Sequence, residues 1–229
     1  MDITHIDQVE MNEVRLACPV QPRDIKRLKL GDLVYLDGVI YTGREGLYRR
    51  MLDEGCDPPE SLDQISNVNF HCSPAATPTD KGGYIVRAVT ATASFRFGKW
   101  MQAFFEKTGC KLIIGKGGMT SREYKRCFVP AGALYLTTVG YGLGAVYGRG
   151  ISDVKAVHWL NELGIAQAVW VLEVNNMGPF IVESDMEGNS LFELANEKIN
   201  KNLARVYEGL PDPVLRRYGE ELDRGKEVV

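Results

Sequence analysis

The sequence predicts a single α/β domain, and three observations support that fold class. Short apolar runs bounded by glycine or proline alternate with stretches whose apolar residues recur at helical spacing. The chain has 229 residues, which is long enough to bury a sizeable core. Neither an internal repeat nor a linker divides it. We therefore expect one domain over residues 1–229, with its core at about 30–207 and a charged tail at 208–229.

Sequence patterns in the first half of the chain predict several strands and helices, followed by the return strand of a hairpin. Asp24 is placed to cap a short helix, and Gly38 marks a bend in the strand after it. A second helix fills the interval between Gly43 and Gly55. In order, the predicted segments are strand 14–16, helix 24–29, strand 33–41, helix 44–54, loop 56–66, strand 68–71, turn 79–83 and strand 84–89.

The second half begins with an amphipathic helix. Apolar residues between Phe97 and Phe105 recur at helical spacing, and Gly109 is placed to end that helix. Thr120 and Glu123 form a capping-box signature, which predicts the start of another helix. The remaining predicted segments are helix 94–107, strands 112–114, 131–139, 154–159, 168–174 and 180–182, and a last helix at 191–206.

Five glycines lie between positions 140 and 150. Gly140, Gly142 and Gly144 resemble part of a dinucleotide-binding fingerprint. The third glycine falls one place early, however, and no acidic residue follows at the required distance. We therefore expect a crowded helix start or a tight loop here, without a bound dinucleotide.

Composition excludes several classes of function. Hydrophobic residues make up 45% of the chain, charged residues make up 25%, and the formal net charge is −3. This balance provides no basic field to attract nucleic acid. No apolar run approaches the roughly 20 residues of a membrane-spanning helix, and no secretory signal is recognisable. We therefore expect neither a nucleic-acid partner nor a membrane.

The cysteines predict neither disulfides nor a metal cage. Their number is odd, and no two are spaced as C-x-x-C. They are Cys18, Cys56, Cys72, Cys110 and Cys127, and the chain has three histidines. A reducing cytoplasm is the expected location, with the cysteines serving as small half-buried hydrophobic residues. We expect no metal ligands in this chain.

Three loops share one pattern, in which a strand is followed by small residues, a cation and a helix. Their cations are Arg44, Arg96 and Lys116. The last lies in the stretch KLIIGKGGMT, which is not a phosphate loop, because Cys110 stands where the first glycine is required and Gly117 stands where Ser or Thr is required. Free backbone N–H groups at helix starts also favour an anion.

Together the three loops are expected to hold a small polycarboxylate at one edge of the sheet. Arginine binds a carboxylate bidentately, and lysine acts as a point charge. The alternative for each cation taken singly is a solvated surface charge. Only the joint pattern favours a binding site.

Several segments resemble one enzyme family in their order and spacing. They are GDLVYLDGVIYTGRE, HCSP, TATASFR, GKGGM, ELG and GPFIVESDMEGN, and they cover roughly residues 30 to 195. They are similar to the β subunit, or C-terminal region, of iron–sulfur hydro-lyases of the tartrate dehydratase and class I fumarase type. The resemblance implies a swivelling β/β/α domain. It also implies a [4Fe–4S] cluster that three cysteines of a partner α subunit hold, so that no cysteine of this chain is a ligand.

The resemblance also assigns roles to four residues. Thr92 corresponds to the catalytic threonine, while Arg44, Arg96 and Lys116 correspond to substrate-binding residues. The sequence departs from the family pattern around them, and the departures are Glu45, Tyr48, Thr90 to Ala93, and His71 to Pro74. These departures put the usual substrate in doubt.

The expected function is that of a cytoplasmic β subunit of a [4Fe–4S]-dependent hydro-lyase. With its α subunit, it would reversibly dehydrate a 2-hydroxy dicarboxylate of the malate/fumarate or L-tartrate class. The expected assembly is a hetero-oligomer, with a homodimer as the alternative state of the isolated chain. Two alternatives stay open: a non-catalytic paralogue that binds a carboxylate or scaffolds a partner, and a free-standing carboxylate-binding enzyme without a cluster.

Overall fold

The computed structural model of the protein describes residues 11–140 and 142–209, without the side chains of residues 204, 206 and 207. It has a mixed α/β fold, which confirms the predicted class. The chain divides into two compact units, Met1–Leu194 and Ala195–Val229. Nearly all of the predicted charged tail, 208–229, lies outside the described residues, and the extent of a single domain stays a prediction.

The structure contains nine strands and nine α-helices within the described residues. The strands are β1 Glu13–Cys18, β2 Leu33–Thr42, β3 Val68–Phe70, β4 Cys72–Pro78, β5 Tyr84–Ala91, β6 Leu112–Gly115, β7 Leu134–Thr138, β8 Ile151–His158 and β9 Val169–Val182. The helices are α1 Pro22–Arg27, α2 Glu45–Tyr48, α3 Leu62–Ile65, α4 Gly98–Thr108, α5 Ser121–Glu123, α6 Val129–Ala131, α7 Gly144–Arg149, α8 Leu160–Leu163 and α9 Leu191–Tyr207. Two π-helical turns, Arg49–Asp53 and Tyr124–Phe128, continue α2 and α5, and a 3₁₀ turn, Phe95–Phe97, precedes α4.

Seven strands form one sheet in the order β1-β2-β3-β6-β7-β9-β8. The first five of these are parallel to one another, while β9 runs antiparallel to both β2 and β7. Because β9 pairs with β2 as well as with β7, strands β2, β3, β6, β7 and β9 form a closed circuit of hydrogen bonds. The other two strands, β4 and β5, form a separate antiparallel hairpin.

The sheet separates two hydrophobic clusters. Alternate residues of β6 point to opposite sides, so that Leu112 and Ile114 join one cluster and Ile113 joins the other. The aromatic stripe of α4, including Trp100 and Phe104, packs in the second cluster. The predicted amphipathic helix is thus confirmed, and Gly109 ends it at φ 62°.

Tight packing explains several of the glycines between positions 140 and 150. A Cβ on Gly144 would lie 2.4 Å from the carbonyl oxygen of Val89, and one on Gly148 would lie 2.2 Å from that of Arg87. Helix α7 therefore lies directly on β5, which confirms the predicted crowded helix. Within the described residues, no helix is long and apolar enough to cross a membrane.

Three local predictions were wrong, and one strand was missed. Gln21, with Pro22 after it, precedes the first helix in place of Asp24. Helix α3 lies inside the predicted loop 56–66, and β4 was not predicted. The predicted strands 168–174 and 180–182 are one strand, β9, because its first half pairs with β8 and its second half with β7, while β2 runs along both.

Candidate active site

Four parallel strands end together at one edge of the sheet. Their last residues are Thr42 of β2, Phe70 of β3, Gly115 of β6 and Thr138 of β7. In α/β folds, ligands collect at the carboxyl ends of such strands. The loops that carry Arg44 and Lys116 leave the sheet at this edge.

Arg44 is held at the start of α2 by polar contacts from two other segments. Its Nη1 donates to the hydroxyl of Ser73 and to the carbonyl oxygen of Ala166, the latter at 3.2 Å. Its Nε is buried and has no hydrogen-bond partner among the described residues. Burial lowers the pKa of Arg44, and the positive charge of Arg96 lowers it further. The two guanidinium groups therefore lie close enough to repel each other.

Arg96 follows β5 of the separate hairpin, so the prediction that all three cation loops leave one edge of one sheet was wrong for this residue. It lies in the 3₁₀ turn before α4 and is exposed. Its guanidinium stands over the ring of Phe97, 5.6 Å from the centroid, and its Nε donates to the carbonyl oxygen of Ala93 at 3.4 Å. Within the described parts of the chain, neither Arg44 nor Arg96 forms an ion pair with a carboxylate. Donors on both guanidinium groups thus stay available to an anion.

Thr92 and Lys116 are joined through the main chain. Thr92 follows β5 and is 6% exposed. Its N–H donates to the carbonyl oxygen of His71 at 2.7 Å, and its own carbonyl oxygen accepts from the N–H of Lys116 at 3.1 Å. Ala93 and Lys116 also form a parallel bridge. The segment that carries Thr92 therefore runs beside the loop that carries the half-buried Lys116.

Glycines allow the Lys116 loop to lie this close. A Cβ on Gly115 would stand 2.0 Å from the hydroxyl of Ser94, a distance that no side chain tolerates. Gly117 adopts φ 71°, in the left-handed region that favours glycine. The glycine pattern around the lysine is therefore explained by available space and by backbone geometry.

A chain of buried hydrogen bonds runs beneath these loops. Tyr48 Oη lies 2.6 Å from His71 Nε2, and His71 Nδ1 lies 2.7 Å from Ser94 Oγ, which also accepts from the hydroxyl of Tyr135 at 2.7 Å. All four side chains are fully buried. Burial lowers the pKa of His71 to about 3, so the imidazole is neutral. These four residues carry no recognisable sequence pattern, because they come from four separate segments of the chain, and no role was predicted for their hydrogen bonds.

A buried carboxyl group lies under the same glycine loop. The hydroxyls of Tyr124 and Ser190 donate to the two carboxyl oxygens of Glu183, and the N–H of Met119 donates to Tyr124 Oη at 2.8 Å. A Cβ on Gly118 would lie 2.9 Å from the carboxyl carbon. Burial raises the pKa of Glu183 to about 7. No role was predicted for Glu183 from the sequence.

The cysteines of this chain do not suit an iron–sulfur cluster. Iron binds the thiolate form of cysteine, whereas burial raises the pKa of the Cys18, Cys72 and Cys110 thiols. In the part of the chain that the structure describes, no three His, Cys, Asp or Glu side chains are grouped so that they could hold a metal ion. The described cysteines therefore offer no group of thiolates that fits such a cluster.

Comparisons with known proteins agree on one family. A family profile described as Fumarase C-terminus matches residues 2–195. A putative L(+)-tartrate dehydratase subunit beta of Methanocaldococcus jannaschii is 36% identical over 183 residues, which cover 79% of this chain and 92% of the relative. The L(+)-tartrate dehydratase subunit beta of Escherichia coli strain K12 is 30% identical over 215 residues, covering 90% and 96%.

A longer relative shows the same region as part of a larger chain. A putative fumarate hydratase class I of Geobacillus stearothermophilus is 32% identical over 206 residues. The match covers 90% of this chain but 38% of the relative. Most of this chain is therefore similar both to separate beta subunits and to a portion of a longer protein.

Proposed function

The chain belongs to the fumarase C-terminus family, the hydro-lyase family of tartrate dehydratase β subunits and class I fumarases, and from this premise we propose that it is the β subunit of an enzyme that reversibly dehydrates a 2-hydroxy dicarboxylate. The observation that carries the proposal is the pair of guanidinium groups on Arg44 and Arg96. They repel each other, one has a buried Nε without a partner, and no carboxylate of the described chain joins them. Thr92 and Lys116 lie at the same edge of the sheet.

A dicarboxylate supplies the negative charges that this edge lacks. In the proposal, Arg44 and Arg96 bind carboxylate oxygens through their planar N–H donors, and Lys116 adds a point charge. When the carbon next to a carboxylate loses its proton, negative charge spreads onto that carboxylate. Fixed cations stabilise this developing charge without having to reorganise.

Thr92 is the proposed group for the proton transfer. A threonine hydroxyl is a weak base, so nearby positive charge has to lower its pKa before it accepts a proton. Lys116 lies on the adjacent loop, and Arg96 lies one turn further along the segment that carries Thr92. The burial of Thr92 also limits competition from bulk water.

The remaining chemistry belongs to the partner in this proposal. A [4Fe–4S] cluster on an α subunit would supply a Lewis acid for the hydroxyl that leaves. This chain would contribute the carboxylate-binding residues and Thr92. It is therefore proposed to be active only together with an α subunit.

Exposed apolar side chains around the edge support a protein partner. Phe95 is 63% exposed and precedes Arg96, Ile165 is 46% exposed, and Val139 is 44% exposed just after β7. Apolar residues around a charged site favour burial against another surface. We propose that the α subunit covers this edge and that the chain has the swivelling β/β/α fold of the family. The free cysteines fit a cytoplasmic location.

Malate/fumarate and L-tartrate are the proposed substrates. The departures from the family pattern bear on this choice to different degrees. Tyr48 is fully buried and its hydroxyl contacts His71, so this departure changes the buried hydrogen bonds beneath the site. Glu45 is exposed beside Arg44, so this departure is better placed to alter substrate choice.

The test is co-expression with an α subunit, anaerobic reconstitution and assay of malate, fumarate and L-tartrate. The proposal predicts turnover of at least one of them, and only when both chains are present. A complex that binds these acids without converting them would favour the non-catalytic carboxylate-binding alternative. Turnover by this chain alone would contradict the need for a partner.

A further inference from the structure

His71 touches the segments of two proposed site residues through its main chain. Its N–H donates to the carbonyl oxygen of Ile114 in β6 at 2.7 Å, and its carbonyl oxygen accepts from the N–H of Thr92 at 2.7 Å. Two residues beyond Ile114, the N–H of Lys116 donates back to Thr92. His71 therefore lies between the strand that leads to Lys116 and the segment that carries Thr92.

The side chain of His71 extends the same link. Nδ1 lies 2.7 Å from the hydroxyl of Ser94, two residues after Thr92. The ring also packs edge-on against Phe97 with 4.9 Å between centroids, and the guanidinium of Arg96 lies over the ring of Phe97. The imidazole thus supports the proposed catalytic segment at two points, one polar and one aromatic.

Both ring nitrogens are satisfied without substrate. A neutral imidazole has one donor and one acceptor, and the hydroxyls of Tyr48 and Ser94 can take either role towards it. The ring is fully buried, and burial lowers its pKa to about 3. An enclosed neutral ring of this kind does not exchange protons with a ligand at the edge. Its role is therefore structural support of a defined geometry.

We propose that His71 is a positioning residue of the hydro-lyase site, which through Ser94 fixes the segment carrying Thr92 and Arg96 against the loop carrying Lys116. The inference rests on the proposed function for the identity of the site. It goes beyond that function, because it assigns the alignment of the site to a buried side chain that never contacts the substrate.

Two substitutions of His71 separate its contact with Ser94 from its contact with Tyr48. His71→Asn places an amide near the position of Nδ1 and keeps a hydrogen bond to Ser94. His71→Gln places its amide near the position of Nε2, so it keeps the contact with Tyr48 and loses the one with Ser94. Both variants lose the aromatic ring equally, which makes each the control for the other.

In the complex with the α subunit, His71→Gln is expected to lower kcat by about 100-fold, the scale of a displacement of about 1 Å at a reacting group. KM is expected to change less, because only Arg96 of the three proposed substrate-binding cations lies on the displaced segment. His71→Asn is expected to retain at least about ten times the turnover of His71→Gln, the scale of one restored hydrogen bond.

Amide hydrogen exchange in the full chain supplies a readout that needs no activity. The N–H groups of Thr92 and Lys116 are expected to exchange at least about ten times faster in His71→Gln than in His71→Asn, the scale of one hydrogen bond. The N–H of Gly31, which donates to the carbonyl oxygen of Val182 at 3.0 Å, is the reference. Its exchange rate is expected to be equal in the two variants.

The outcomes distinguish this inference from the proposed function. Equal exchange at Thr92 and Lys116 in the two variants, or equal turnover, overturns the positioning role. A wild-type complex that converts none of the three dicarboxylates defeats the proposed function. In that case a difference in exchange between the variants would still support the positioning role, and its absence would still overturn it.

Discussion

The N–H of Lys116 donates to the carbonyl oxygen of Thr92 at 3.1 Å. This bond helps to join the end of β6 to the segment after β5, two parts of the chain that are separated by α4. The cation of Lys116 and the hydroxyl of Thr92 are therefore carried by adjacent backbone segments.

Thr92→Val removes the hydroxyl and keeps the shape of the side chain. If Thr92 handles the proton, turnover by the reconstituted complex should fall by at least about 100-fold, the usual scale for loss of an acid–base group. Substrate affinity should stay within a few-fold. Thr108→Val is a matched control, because Thr108 is also buried and its hydroxyl donates to the carbonyl oxygen of Phe104 in α4. Near-normal turnover in Thr92→Val would remove Thr92 from the mechanism.

Lys116→Met keeps the length of the side chain and removes its charge. A charge-assisted hydrogen bond contributes about 1.5–3 kcal/mol, so dicarboxylate binding should weaken by about 10- to 100-fold. Titration of the complex by calorimetry measures this. Lys155→Met, which removes an exposed cation on β8 that pairs with Glu173, should leave affinity unchanged. Equal affinities in the two variants would contradict the proposed role of Lys116.

The isolated chain should carry no iron–sulfur cluster after anaerobic reconstitution with iron and sulfide. The reason is that its buried cysteines have raised pKa values and are not grouped within the described residues. Visible absorbance measured on this chain alone and on its complex with the α subunit tests this. Cluster absorbance in the isolated chain that disappears when one of its cysteines is replaced would show that this chain holds the metal.

Glu183 predicts a pH dependence of stability. Its pKa is raised by burial from 4.5 to about 7, so between these values the folded protein keeps a proton that the unfolded chain has lost. Stability therefore falls as pH rises through this window, by up to about 3 kcal/mol. His71 acts in the opposite direction below pH 6.5, because its folded pKa is lowered to about 3 and the unfolded chain binds the extra proton.

Comparison of wild type with Glu183→Gln isolates the contribution of the carboxyl group, since His71 is common to both. From pH 5 to pH 8, the variant should gain up to about 3 kcal/mol of unfolding free energy relative to wild type. Urea unfolding at the two pH values measures the change. Parallel pH profiles for the two proteins would show that Glu183 is not protonated at pH 5 in the folded state.

Local sequence patterns predicted much of the fold. The stripe from Phe97 to Phe105, the capping box at Thr120 and the bend at Gly38 are all present. A Cβ on Gly38 would lie 2.4 Å from the carbonyl oxygen of Cys18, which explains why this position is glycine. The continuity of β9 was not predictable in this way, because it depends on pairing with β2, which is distant in sequence.

The candidate site was predictable to a similar extent. The loops of Arg44, Arg96 and Lys116 share a pattern that is visible along the chain, and resemblance to a family singled out Thr92. The support beneath them was not visible. The contacts of His71 with Ser94, and of Glu183 with Tyr124, join residues whose individual types are ordinary for a buried core, so only the folded arrangement shows them.

A double-mutant cycle of Thr92→Val and Lys116→Met, measured as turnover of malate, fumarate or L-tartrate by the reconstituted complex, tests the central claim most directly. If both residues serve one proton transfer in one site, removing either already disables the step that they share. The double variant should then be less impaired than the product of the two single effects. Two effects that multiply independently would contradict the shared site at this edge of the sheet.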